Sequence, residues 1–226
     1  MGEVIGQLLP TAVGVMLSPL PIVGVILMLL SNKAKVNGPM FLLGWLAGLA
    51  IVVGGVVAFV NPDRLNKSSG DPSTLNGVLH LVLGGLLLLL AVKQLKGRPK
   101  KGEDPEMPKW MAKMQDASPI FAFGMGAFLS GLNPKNLIFD IAAAAAIVAG
   151  DLSNSQQIVA VVIFIILASL TIGIPVLWYL IAGESAKAKL DVLRGYLVQY
   201  NWVIMCVLFL VLGAKFIGQA LPAFFD

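Results

Sequence analysis

The chain has 226 residues, 58% of them apolar or aromatic, against 16 Lys and Arg and 12 Asp and Glu. So little charge cannot coat a soluble domain of this size, which excludes an ordinary water-soluble enzyme. A lone cysteine, Cys206, excludes an intrachain disulfide, and one histidine gives no basis for a zinc centre.

Long apolar runs fall into six segments, roughly Val4 to Leu30, Met40 to Val60, Leu75 to Leu95, Pro119 to Ala149, Gln156 to Ala182 and Trp202 to Leu221. Each is long enough to cross about 30 Å of hydrocarbon as a helix, and a helix satisfies its own backbone there. The reading is an all-α integral membrane protein of six transmembrane helices. The first segment has no Lys or Arg before its apolar stretch and outruns a signal sequence, so it is expected to be retained.

Basic residues alternate between loops. Lys33 and Lys35 follow the first span; Lys93, Lys96, Arg98, Lys100, Lys101, Lys109 and Lys113 follow the third; Lys187, Lys189 and Arg194 follow the fifth. The other connections offer Arg64 and Lys67 only. Positive charge marks the cytoplasmic side, so both termini are expected to be extracytoplasmic, in the cytoplasmic membrane. Within the linker 96–118, Pro108-Lys-Trp-Met-Ala-Lys-Met114 is either a short interfacial helix or a solvated tether.

Two spans are interrupted by proline and polar residues: Gly14-Val-Met-Leu-Ser-Pro-Leu-Pro-Ile22 in the first and Gly126-Ala-Phe-Leu-Ser-Gly-Leu-Asn-Pro-Lys-Asn136 in the fourth. A shift of 112 residues lays Gly14 on Gly126, Ser18 on Ser130 and Leu20 on Leu132, with Pro21 falling on Asn133 beside Pro134. Three spans separate the copies, so an inverted-topology repeat of 3+3 helices with broken first and fourth helices is expected: 1–95, a linker 96–118, and 119–226. Paired breaks at matching positions of inverted halves point to a transport site near the midplane, because proline frees backbone groups that hydrocarbon penalises.

The candidate site is Ser18, Pro19, Pro21, Ser130, Asn133, Pro134, Lys135, Asn136 and Asp140. Ionisable groups inside a span cost several kcal/mol, so Lys135 and Asp140 are the sharpest candidates. Lys135 beside a helix start would hold an anionic head group, or would neutralise Asp140 as a structural ion pair; Asp140 is also a candidate for proton coupling. Lys215 either snorkels from the last span or binds ligand, and His80 in the third span either titrates in a relay or is a silent hydrogen-bonded group. Gly44 to Gly48, Gly14 to Ser18, Gly126 to Ser130 and Ala214 to Gly218 have the small-x-x-x-small spacing of close helix packing. Ser169, Thr171, Gly173 and Pro175 form a further polar, bendable stretch, for cavity lining or hydroxyl back-bonding.

Ser18-Pro-Leu-Pro21, Leu132-Asn-Pro-Lys-Asn136 and the Pro-rich linker with Lys109-Trp-Met111 resemble the sulfolipid-addressing and glycopeptidolipid-addressing proteins, a group placed in the LysE superfamily of six-span exporters. The resemblance spans essentially the whole chain. It implies a secondary transporter, an exporter or flippase that moves an amphipathic, anionic glycolipid-like molecule. Ser-Pro-Leu-Pro departs from the Pro-Gly-Pro of amino-acid exporters, which argues against amino-acid export. The alternatives are a non-transporting scaffold for a lipid-export machine, with a partner docked on the cytoplasmic loop, and an exporter of a small solute such as an amino acid or cation. No phosphate-binding loop, metal site, cofactor or nucleic-acid surface is expected, nor is enzymatic activity. A homodimer is plausible.

Overall fold

The computed structural model describes residues 1–59, 72–97 and 116–225. The elements are α1 (Gly2–Met16), α2 (Pro19–Leu30), α3 (Ala34–Leu49) continued by a π-helical segment (Ala50–Gly54) and α4 (Gly55–Phe59), α5 (Pro72–Lys96), α6 (Pro119–Ala127) continued by a second π-helical segment (Phe128–Leu132), α7 (Pro134–Ala149), α8 (Asn154–Ala182), α9 (Ser185–Ala220) and α10 (Pro222–Phe225). No strand occurs among the described residues.

Four helical stretches are long and apolar enough to span a membrane: Ala34–Phe59, Gly77–Lys96, Asn154–Ala182 and Ser185–Phe224. Two bent pairs, α1 with α2 at 54° and α6 through Leu132 with α7 at 60°, are long and apolar enough when each is taken together, for up to six spans. This is an all-α, multi-pass membrane protein. Its outer surface agrees: Phe59, Ile120 and Ile181 are more than four-fifths exposed, an arrangement stable only against lipid.

Local chemistry explains the helix starts. Ser118 accepts the Phe121 amide at 3.2 Å, with Pro119 in the first turn, where a missing N–H costs nothing. Ser153 and Gln156 form a reciprocal capping box at α8. Asn37 ties the α2–α3 corner to the start of α6, its Nδ2 donating to Ser31 Oγ at 3.1 Å and to the Ala117 carbonyl at 2.9 Å.

One boundary differs from the expectation. The last span does not begin near Trp202; α9 starts at Ser185. The expected fifth loop contracts to a corner at Gly183, whose φ of +60 suits glycine. Lys187, Lys189 and Arg194 therefore ride on a helix. Glu184–Lys187 at 3.0 Å and Asp191–Arg194 at 2.7 Å extend the helix beyond its apolar part. The Lys187 ammonium, then the Tyr179 hydroxyl donating at 3.1 Å, hold the exposed Glu184 carboxyl below its ordinary range. The segment Pro108 to Met114 lies outside the described residues.

Glycines set how closely the helices approach. On α3, Gly44 faces the Phe123 carbonyl and Gly48 faces Ser130 Oγ and the Ala127 carbonyl; on α6, Gly126 faces the Phe41 carbonyl and the Trp45 amide. A methyl group at any of these would overlap main chain or Ser130, so α3 and α6 form a backbone-to-backbone seam. Between α5 and α9 the close approach is made by Gly84 and Gly213. A methyl on either would stand 3.0 to 3.2 Å from the other's carbonyl. The expected Ala214 to Gly218 pair does not serve here: both residues are exposed.

Candidate functional site

Both breaks leave carbonyls without their helical donors, and at each break a side chain meets one of them. At the first break, Pro19 and Pro21 lack N–H groups, and the bend carries Leu20 away from the Met16 carbonyl. Thr171 Oγ1 of α8 donates to that carbonyl at 2.7 Å. At the second break, Asn133 leaves the helix with φ −68 and ψ 119 and Pro134 has no N–H. The Leu129 carbonyl is instead met by Asn136 Nδ2 at 2.8 Å. Broken helices survive in lipid where protein groups complete the backbone in this way. Thr171 thus bonds across helices, where sequence left it between cavity lining and back-bonding.

Removing the Thr171 hydroxyl strands a half-buried carbonyl. Thr171→Val should cost about 1–3 kcal/mol, read as a lowered unfolding temperature in detergent. Thr11→Val is the contrast: Thr11 Oγ1 bonds only the Leu8 carbonyl within its own helix, at 2.7 Å, and its loss should be nearly silent.

The two breaks face each other. α1 and α7 run antiparallel, with Gly150 against Val4 and the Phe139 ring 2.9 Å from where a Gly14 methyl would stand. That register brings Lys135 to the level of Ser18. Lys135 Nζ reaches over the Phe139 ring, 5.9 Å from its centroid. Asp140 lies near the level of Gly14, and the Thr171–Met16 bond brings Ser169 of α8 to the same depth. Ser130 adjoins Gly48 on the seam. Ser18, Ser130, Lys135, Asn136 and Asp140 are all buried, and so are Pro19 and Pro21.

The polar atoms here are unusually poor in partners. Lys135 Nζ, both Asp140 carboxylate oxygens, Asn136 Oδ1, Ser169 Oγ and Trp45 Nε1 are buried without a hydrogen-bond partner among the described residues. Lys135 and Asp140 form no contact ion pair among the described residues. Five positions along a helix separate side chains by about 140°, which explains why they do not meet.

The helix-end contribution is smaller than the sequence implied. Pro134 has no N–H, the Lys135 amide is taken by Asn133 Oδ1 at 3.1 Å, and the Leu137 amide by the Asn133 carbonyl at 2.9 Å. At α2, prolines fill two of the first three positions, and the Ile22 amide bonds the Ser18 carbonyl at 3.4 Å. Few amides remain to face an anion, so any anion here is met mainly by side chains.

His80 and Lys215 belong elsewhere, to the α5–α9 pair. The His80 ring meets Phe216 edge-on at 5.7 Å, and Lys215, half-buried, precedes Phe216 on α9. Among the described residues no group of three or more His, Cys, Asp or Glu side chains is placed to hold a metal ion. Sequence reasoning missed Trp45, treated only as an inner residue of the Gly44 to Gly48 motif.

No curated protein and no solved structure matches the chain. Residues 8–222 match the family model described as Sap, sulfolipid-1-addressing protein, and the chain belongs to that family.

Proposed function

We propose that the protein is a secondary transporter, an exporter or flippase that moves an amphipathic, anionic glycolipid-like molecule across the cytoplasmic membrane. Membership of the sulfolipid-1-addressing family supports a role in lipid export or addressing. The observation that carries the transporter reading is the buried, unpartnered Lys135 and Asp140 at the two facing breaks. Charges held inside a span at such a cost are retained where they meet a cargo or a coupling ion.

Lys135 is the cation for the head group's acid oxygen, and Asp140 and Asn136 Oδ1 are acceptors for its hydroxyls. The halves rock about Pro19, Pro21 and Pro134 as an inverted pair, with both termini outside. Acyl chains stay in lipid while the head group crosses through the site.

The test is reconstitution of the full chain in vesicles carrying a fluorescent sulfatide, with a membrane-impermeant quencher reporting its movement between leaflets. Wild type should accelerate movement, Lys135→Met should lose it, and a deletion of Gly102 to Met114 should keep it. Movement unchanged by Lys135→Met would overturn the site. No acceleration by wild type would favour a non-transporting scaffold.

A further inference from the structure

Trp45 is 1% exposed and its Nε1 has no acceptor among the described residues. An indole nitrogen only donates, so leaving it buried and unpaired is a cost that a phenylalanine would avoid. The Trp45 main chain is held against α6, its amide 2.8 Å from where a methyl on Gly126 would stand. Phe41, one turn earlier on α3, packs its ring 3.5 Å from the methyl position of Gly24 on α2. One turn further along this antiparallel pair, Trp45 is level with Leu20, at the start of α2. The first break, with Ser18 and the facing Lys135, lies at that depth.

We propose that the Trp45 indole N–H is a cargo-recognition group, donating to an oxygen of the sulfate or phosphate ester on the head group that Lys135 holds. This rests on the transporter reading above. Lys135 supplies charge, which any anion satisfies. Trp45 supplies a directed neutral donor, which selects an oxyanion seated at the first break. Ester-linked sulfate and phosphate both offer oxygens enough to accept from the two groups at once.

The experiment uses the full chain in detergent, with sulfatide and its unsulfated parent galactosylceramide as probes. Trp45→Phe keeps an aromatic ring and deletes the donor. It should weaken sulfatide binding about tenfold and change galactosylceramide binding little. The unliganded unfolding temperature should stay level or rise, because an orphan donor has been removed. Unchanged sulfatide binding would overturn the proposal, and so would weaker binding accompanied by a fall in that temperature, the mark of a packing role. Lys135→Met separates the two readings. If Lys135→Met loses sulfatide and Trp45→Phe does not, only the role of Trp45 fails; if both bind as wild type, the site itself fails. A chain with Trp110, Trp178 and Trp202 changed to Phe gives a second readout that needs no change at Trp45. Its emission should shift when sulfatide binds but not with galactosylceramide, and no shift with sulfatide would overturn the proposal.

Discussion

Gly44→Ala and Gly126→Ala should each cost more than about 3 kcal/mol, while Gly124→Ala should be neutral or stabilising. Gly44 and Gly126 sit on one seam: a methyl on Gly44 would enter the Phe123 carbonyl, and one on Gly126 the Phe41 carbonyl. The obstacle in both cases is main chain, which cannot swing aside as a side-chain end does. Either the helices separate, forfeiting packing along the whole α3–α6 contact, or the chain fails to reach this arrangement. Gly124 lies in the same helix but has nothing within 4 Å of its methyl position. There the gain in helix propensity, about 1 kcal/mol, is unopposed. Unfolding in detergent by increasing denaturant measures all three. Equal effects at the three positions would show that the seam is not packed backbone to backbone.

The contrast between Gly44 and Gly124 also marks what can be read from residues alone. Spacing picked out Gly44, Gly48 and Gly126, because close packing needs small residues one turn apart. It equally picked out Ala214 and Gly218, which are exposed, and passed over Gly84 and Gly213. Spacing identifies a face that could pack; only the partner helix decides which face does. The six apolar runs were legible because hydrocarbon thickness sets their length directly. The start of α9 was not, since a search for apolar runs discards the charged turns around Lys187 and Arg194 that the helix continues through. The π-helical segment Ala50–Gly54 carries no proline and announces itself in no residue pattern.

The site was legible where composition is decisive. Lys135 and Asp140 stand out because a charge within a span is rare on energetic grounds, and Pro19, Pro21 and Pro134 because they interrupt backbone bonding. What Thr171 and Trp45 do was not legible. A threonine or tryptophan in an apolar helix is unremarkable until the register shows Thr171 at the Met16 carbonyl and the indole N–H without an acceptor. Cross-helix register depends on packing throughout the bundle and leaves no local signature.

Lys135 and Asp140 give the sharpest separation of stability from function. Lys135→Met leaves a buried carboxyl group and Asp140→Leu a buried amine, each of which can shed its charge by gaining or losing a proton. Each change also removes a buried polar group that has no hydrogen-bond partner among the described residues, so stability should hold or rise. The double change should be at least as stable as wild type, as buried pairs replaced by apolar residues often are. The coupling in such a cycle should be small, because the two groups form no contact ion pair among the described residues. Transport should follow a different pattern: lost in both single variants and still lost in the double variant. A pair kept only to neutralise itself predicts transport returning in the double variant. Measuring unfolding temperature and sulfatide movement on the same three preparations distinguishes the two. Transport restored in Lys135→Met/Asp140→Leu would reduce the pair to a structural element and remove the midspan charges from the mechanism.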